Sequence, residues 1–239
     1  MSEAQRLLDV AEAKDHYLAA CKASALNAAS REGNHYKPFF LPTAEAQRLR
    51  SCVHRTEILN GADIVVLHSS ADNGFPHTRP DKLVCIPSSC VTNSSTTELE
   101  ETMRHEALHI NQRAYPHLWK EKCRREGWSE FPLAEVPSRL LERCRINPDT
   151  MYDAPFWAWE GVSVPLPLFK KDALSADLGD VTVEWLDLRT LSLFHSPPQS
   201  FVTRYGSTPQ PEHPYELLAV EYAKAGVSKY NILERILKS

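Results

Sequence analysis

The five residues HEALH at positions 105 to 109 constrain this chain more than any other part of its sequence. His105 and His109 are four residues apart, so on an α-helix both side chains project from one face and can share a metal ion. Glu106 then lies beside that metal, where a carboxylate can take a proton from water and pass it to a leaving amine. The pattern therefore requires a helix and points to metal-dependent hydrolysis.

The flanking residues favour such a helix. Thr96 and Thr97 can cap its start, and Glu98, Glu100 and Glu101 fall in the first turn, where the helix dipole favours negative charge. An apolar stripe follows at helical spacing, made of Leu99, Met103, Ala107, Ile110 and Ala114. The two histidines and the glutamate of HEALH occupy a separate arc, so the core does not need their face. The alternative is an amphipathic helix whose two histidines are solvated or hydrogen-bonded to carboxylates such as Glu101 and Glu106.

This motif resembles that of the zincin metallopeptidases, whose His-Glu-x-x-His signature lies on an active-site helix beside a small sheet. By that resemblance His105 and His109 are zinc ligands and Glu106 is the general base. The metzincin branch continues with glycine and then histidine, where this chain has Gln112 and Tyr115. The gluzincin-like branch, which takes a glutamate from a downstream helix, is therefore favoured.

Residues 213 to 223, HPYELLAVEYA, predict such a helix, with Pro214 in its first turn. Toxin proteases related to anthrax lethal factor have similar patterns in this region. The matching residues are Glu216, Ala219 and Tyr222 for Glu-x-x-Ala-x-x-aromatic, and Tyr205 and Gly206 for an upstream Tyr-Gly pair. The resemblance implies Glu216 as the third zinc ligand and Tyr205 as the hydrogen-bond donor to the developing oxyanion.

Other residues remain open for both roles. The alternative third ligands are Glu221, Glu212, His213 and the region of Glu142. Glu212 fits the toxin spacing from the tyrosine, but it stands between two prolines, where continuous helix is disfavoured. Tyr215 and His195 are the substitutes for the oxyanion role.

Composition indicates a compact enzyme without a nucleic-acid or membrane partner. The 239 residues carry a net charge of −4 and contain no long basic run. No apolar stretch approaches the roughly 18 residues that a membrane span needs, and the N-terminus reads as an amphipathic helix rather than a signal peptide. The six cysteines form no CxxC pair, which favours reduced thiols. We expect a cytoplasmic protein.

The rest of the chain predicts alternating helices and short strands. Helices are expected over residues 3 to 30, 44 to 54 (capped by Thr43), 117 to 126 and 138 to 145, and strands over 62 to 67, 82 to 86, 162 to 169 and 181 to 188. By the zincin resemblance, the strand KLVCI at 82 to 86 is a candidate for pairing with a peptide substrate, although a buried structural strand explains it equally well. The aromatic residues Phe156, Trp157 and Trp159 favour a core role over a substrate pocket.

Together these patterns predict a single α+β, zincin-like domain over residues 1 to 239. Its N-lobe, about residues 1 to 116, is expected to hold a small mixed sheet and the active-site helix. A mostly helical C-lobe, about residues 117 to 239, is expected to supply the third ligand. The predicted function is a Zn²⁺-dependent hydrolase acting on a peptide or protein substrate. The alternatives are an Fe²⁺ oxygenase that uses the same two histidines and carboxylate, or a zincin scaffold that only binds a partner.

Overall fold

The structure, a computed structural model, describes residues 1–170, 176–206 and 210–226. The helices in this part are α1 (Glu3–Asp15), α2 (Tyr17–Ala23), α3 (Ala25–Ala29), α4 (Thr43–Arg55), α5 (Ser88–Asn93), α6 (Thr96–Ala114), α7 (Pro116–Arg125), α8 (Ser138–Leu141), α9 (Gln199–Tyr205) and α10 (Pro214–Lys224). The strands are β1 (Asp63–Leu67), β2 (His77–Arg79), β3 (Leu83–Pro87), β4 (Trp128–Glu130), β5 (Trp157–Trp159), β6 (Ser163–Phe169), β7 (Val181–Asp187) and β8 (Leu193–Phe194). The chain is thus a mixture of helices and two small sheets.

The N-terminal region forms three helices instead of the predicted single helix. His16 has a φ of 53°, and this left-handed residue ends α1 and begins α2. Ser24 is extended and separates α2 from α3. The next helix, α4, agrees with the prediction except that Thr43 is its first residue, and the cap position is Pro42.

The first sheet has the strand order β1-β3-β2, with β3 parallel to β1 and antiparallel to β2. The strands predicted at 62 to 67 and 82 to 86 are confirmed as β1 and β3. The third strand, β2, was not predicted, because three residues are too few for a periodic signal. Since β3 is central and every one of its residues is buried, the KLVCI strand is structural. Its candidate role in pairing with a peptide is wrong.

Helix α6 follows this sheet and confirms the predicted helix around HEALH. It is capped by Ser95, one residue earlier than expected, in a capping box completed by Glu98. Leu99, Met103 and Ala107 are fully buried in the cluster between α6, α4 and the sheet. The apolar stripe therefore sets the rotation of α6 and turns the two histidines away from that core.

The second sheet has the order β4-β5-β6-β7-β8 and is antiparallel throughout. The prediction of a mostly helical C-terminal lobe is therefore wrong. The two long strands, β6 and β7, lie at the predicted positions. The other three strands have two or three residues each, so sequence periodicity did not reveal that the two long strands belong to a larger sheet.

An aromatic core joins this sheet to the C-terminal helices. Trp128, Trp157 and Trp159 are buried in one cluster with Phe201 and Tyr222. The core role expected for the aromatic segment is thus confirmed for its tryptophans. All six cysteines are free. Within the described residues, no helix combines the length and the apolar character that crossing a membrane requires.

Helix α10 packs along α6 and brings the C-terminal part of the chain beside HEALH. Two side-chain bonds tie the pair at opposite ends. Arg104 Nε donates to the carbonyl of Ala223 at 3.0 Å, and Gln112 Nε2 donates to the carbonyl of Tyr215 at 2.9 Å. A cleft with a volume of about 650 Å³ opens beside the two helices, and His105, Glu106 and Glu216 line it.

Candidate metal centre

Two imidazoles from one face of α6 form the base of the site. The His105 side chain is 17% exposed and the His109 side chain is fully buried. Their Nε2 atoms lie 2.9 Å apart. This approach follows from the i, i+4 spacing, which places the two rings one above the other on the helix.

Glu216, in the first turn of α10, completes a group of three donors. Its Oε2 lies 3.2 Å from Nε2 of His105 and 3.3 Å from Nε2 of His109. Within the described ranges, these three residues are the group of histidine, cysteine or acidic side chains that could hold a metal ion. The structure thus brings together the three residues that the sequence assigned as ligands.

A glutamine determines which nitrogen of His109 faces the site. Gln112 Nε2 donates to the carbonyl of Tyr215, so its Oε1 is the atom directed at His109, 2.7 Å from Nδ1. An amide oxygen only accepts, so Nδ1 must carry the hydrogen. Nε2 therefore points toward His105 and Glu216, which is the arrangement that a metal-binding histidine needs. Sequence reasoning recorded Gln112 only as a departure from the metzincin pattern.

The other oxygen of the glutamate also has a fixed partner. Asn147 Nδ2 donates to Oε1 of Glu216 at 2.7 Å, which leaves Oε2 facing the histidines. Asn147 belongs to the segment Arg145–Asp149, between α8 and β5. Sequence reasoning missed this residue, although the Asn-Pro-Asp run there is a turn signal that could have drawn attention to the segment.

The charges in the site favour a shared cation. Burial alone lowers the pKa of His109, but the carboxylates of Asp149 and Glu216 outweigh burial and raise this pKa to about 10. Burial alone raises the pKa of Glu216, but His109 and His105 hold it well below its usual range. Without a metal, a proton supplies the positive charge between these groups, and a divalent cation would replace it.

Glu106 lies next to this group and is the least satisfied carboxylate there. The residue is 3% exposed, and its Oε2 is buried without a hydrogen-bond partner. Burial raises the pKa of Glu106 well above its usual value, and the nearby charge of Asp149 adds to that rise. A buried, unpaired carboxylate oxygen costs free energy, so its presence beside the three donors calls for an explanation.

Asp149 is a second buried acid in the same cleft, and sequence reasoning did not identify it. Its Oδ1 accepts hydrogen bonds from the backbone N–H of Thr78 at 2.8 Å and from the Thr78 hydroxyl at 2.5 Å. Arg113 donates to the carbonyls of Thr78 and Pro148. The backbone of β2 at Thr78 is therefore already occupied, and an extended peptide has no free partner there.

The remaining candidates lie elsewhere. The hydroxyl of Tyr205 accepts from Trp128 Nε1 at 3.0 Å and contacts Glu126 at 3.3 Å, and Tyr205 is not among the described residues that line the cleft. Tyr215 and His195 are likewise outside the described lining. The structure therefore does not bring the tyrosine predicted for the oxyanion into the cleft.

The alternative ligands have other partners. Glu212 lines the cleft but pairs with Arg145 at 3.1 Å. The Glu221 side chain is 50% exposed. His213 caps α10 by accepting from the backbone N–H of Tyr215, and Glu142 is exposed. None of these four belongs to the group of donors formed by the described residues.

The donor set fits a divalent metal. Two donors bound to zinc at about 2.05 Å and at the tetrahedral angle lie about 3.3 Å apart. The two histidine–glutamate separations, 3.2 and 3.3 Å, agree with this value, and the histidine–histidine separation of 2.9 Å is somewhat shorter. Adjacent donors in an octahedral iron site lie about 3.0 Å apart, so the same residues also suit the iron alternative.

Comparisons of the chain with protein-family models, with curated proteins and with solved structures found no match. The cleft itself holds three converging donors, a glutamate whose Oε2 is unpaired, and two amides that orient the donors.

Proposed function

We propose that this protein is a zinc-dependent hydrolase of the peptidase type. His105, His109 and Glu216 would hold the metal, which when bound supplies Lewis-acid activation of water and of a carbonyl group. Three protein donors leave a further position free, which is the arrangement typical of catalytic rather than structural zinc sites.

The observation that carries the proposal is the state of Glu106. A pure binding scaffold gains nothing from a carboxylate that is buried beside the donors with an unpaired Oε2. Its raised pKa suits a general base, because the group accepts a proton more readily than a solvated glutamate. Glu106 would take the proton from the attacking water at its carboxylate and return it to the leaving amine.

A free strand edge in the cleft supports a peptide as the substrate. Val181 and Val183 of β7 line the cleft. Two backbone groups of odd-numbered β6 residues, the N–H of Phe169 and the carbonyl of Pro167, form hydrogen bonds with the segment around Arg143. In the antiparallel register of β6 and β7, the backbone hydrogen bonds between the two strands therefore come from their even-numbered residues. The backbone N–H and carbonyl groups of the odd-numbered residues of β7 therefore point away from β6.

Strand β8 covers this side of β7 only at Trp185 and Leu186. Among the described residues, the backbone of Val183 has no partner on this side. An extended peptide can pair with such an edge, whereas a small metabolite has no use for it. This edge replaces the KLVCI strand as the candidate for binding substrate.

The test is cleavage of a peptide library by the zinc-loaded protein, compared with Glu106→Gln. The variant keeps the shape of the side chain but removes the base, so zinc should remain while cleavage falls by roughly two orders of magnitude or more. Glu121→Gln is the matched control, because Glu121 is exposed on α7 and pairs with Arg125. Cleavage that is equal in the wild type and Glu106→Gln would remove Glu106 from the chemistry. Bound iron with oxygen-dependent turnover would establish the oxygenase instead.

A further inference from the structure

The segment Arg145–Asp149 supplies a residue that touches the third donor without being a donor itself. We propose that Asn147 is a positioning residue, which holds Glu216 in the orientation that the metal requires. This inference depends on the proposed metal site. The metal affinity of the site would then depend on the Arg145–Asp149 segment, which lies far in sequence from both helices that carry the ligands.

The geometry around Glu216 gives Asn147 this role. One carboxylate oxygen accepts from Asn147 at 2.7 Å, and the other faces His105 and His109 at 3.2 and 3.3 Å. A glutamate held at one oxygen cannot rotate its second oxygen away from the histidines without losing that bond. The side chain is therefore ordered before a metal arrives, and preorganised ligands bind more tightly.

The orientation of the asparagine amide is fixed in turn. Its Oδ1 accepts from the backbone N–H of Asp149 at 3.0 Å, a local turn in which asparagine bonds to the residue two positions later. Because the oxygen is used there, the NH₂ group is the one that faces Glu216. The bond to the carboxylate is thus a donation and not a contact between two acceptors.

The backbone on the N-terminal side of Asn147 is held by helix α3. Asn27 of α3 is fully buried; its Oδ1 accepts from the N–H of Ile146 at 2.9 Å, and its Nδ2 donates to the carbonyl of Cys144 at 2.8 Å. Arg31 also donates to the carbonyl of Ile146 at 3.2 Å. These bonds limit the freedom of the segment, so the Asn147 side chain is presented to Glu216 from a fixed position.

The experiment is zinc affinity by competition with a chromogenic chelator, measured on the full chain. Asn147→Ala should weaken zinc binding by about 10- to 100-fold, the usual effect of losing a group that orients a ligand. Asn147→Ser is measured in parallel. Its hydroxyl can keep the local turn to Asp149 but is too short to reach Glu216, so the same loss is expected in a chain whose loop is preserved.

Asn93→Ala is the matched control, since Asn93 is exposed at the end of α5, and its affinity should equal that of the wild type. Asn147→Ala added to Glu216→Ala should cause no further loss, because the asparagine acts only through that carboxylate. Unchanged affinity in both Asn147 variants, or a full additional loss in the double variant, would overturn the positioning role and leave the metal site intact. A wild-type chain that binds no zinc would overturn both this inference and the proposed function.

Discussion

The two halves of the candidate metal centre are built from very different lengths of chain. The first half, His105, Glu106 and His109, lies within little more than one turn of α6. The second half combines Glu216 of α10 with Asn147, and these two residues are 69 positions apart. A helix alone makes the first half, whereas the second half exists only when α10 and the Arg145–Asp149 segment pack beside α6. The two histidine donors thus come from local helical order, whereas the third donor, Glu216, and its orientation come from tertiary contacts.

The largest expected effect tests the half on α6. His105→Ala and His109→Ala should each lower zinc affinity on the order of 1,000-fold or more, because each removes a direct ligand. His117→Ala is the matched control, since His117 is exposed on α7. Metal content by elemental analysis and chelator competition provide the measurement. Full retention of zinc by both ligand variants would mean that the paired histidines do not hold the metal.

The next effect tests the half from α10. Glu216→Ala should lower zinc affinity by about 100- to 1,000-fold, whereas Glu221→Ala on the same helix should leave it unchanged. The Glu221 side chain is 50% exposed, and among the described residues it has an ion-pair contact with Arg204 at 3.9 Å. Chelator competition on both variants decides the assignment. The reverse ranking would move the third ligand from Glu216 to Glu221 on the same helix.

A smaller effect is expected at two glutamates with little solvent exposure, Glu126 and Glu106. Burial alone raises the pKa of Glu126, but Lys122 and Arg204 outweigh it and lower this pKa, so the ionised form stabilises the fold. That contribution is present above the unfolded pKa of about 4.5 and is lost as pH falls through the lower folded value. Glu126→Gln should therefore cost about 1–2 kcal/mol at pH 7 and nearly nothing in acid.

Glu106→Gln should have the opposite sign in the metal-free protein. The pKa of Glu106 is raised by burial, so the folded state holds this proton more tightly and loses stability as pH rises from about 4.5. The variant should unfold at a higher temperature than the wild type at pH 7, and the two should converge toward pH 4. Thermal unfolding of both variants across this range provides the measurement. If both substitutions shift the melting temperature in the same direction, Glu106 is a structural carboxylate like Glu126.

The smallest effect concerns the free edge of β7. Val183→Pro removes an N–H that faces the cleft, so KM for a peptide should rise about three- to tenfold with little change in kcat. KM for a minimal substrate too short to reach the strand should stay constant. Thr182→Pro is the contrasting variant. Thr182 pairs with Leu168 of β6, so the loss of this pairing should lower the stability of the fold and not only the affinity for a peptide. An unchanged peptide KM in a folded Val183→Pro protein would place the substrate elsewhere in the cleft.

The parts of the fold that sequence predicted correctly are those with a local signal. The capping residues and the apolar stripe define α6, runs of branched apolar residues define β1 and β3, and segments rich in apolar residues mark β6 and β7. Strands of two or three residues carry no such period, so β2, β4, β5 and β8 were missed. The break at His16 also escaped prediction, because a left-handed residue inside a helical pattern leaves no periodic trace.

The candidate site divides along the same line. The sequence by itself determined that two histidines and a glutamate share one face of a helix, because the 3.6-residue period places them there whatever surrounds them. Only the tertiary structure decided that Glu216, and not Glu212 or Glu221, faces the histidines, and that Tyr205 lies with Trp128 and Glu126. Those outcomes depend on contacts between segments far apart in the chain, whose register and rotation are set by packing and burial.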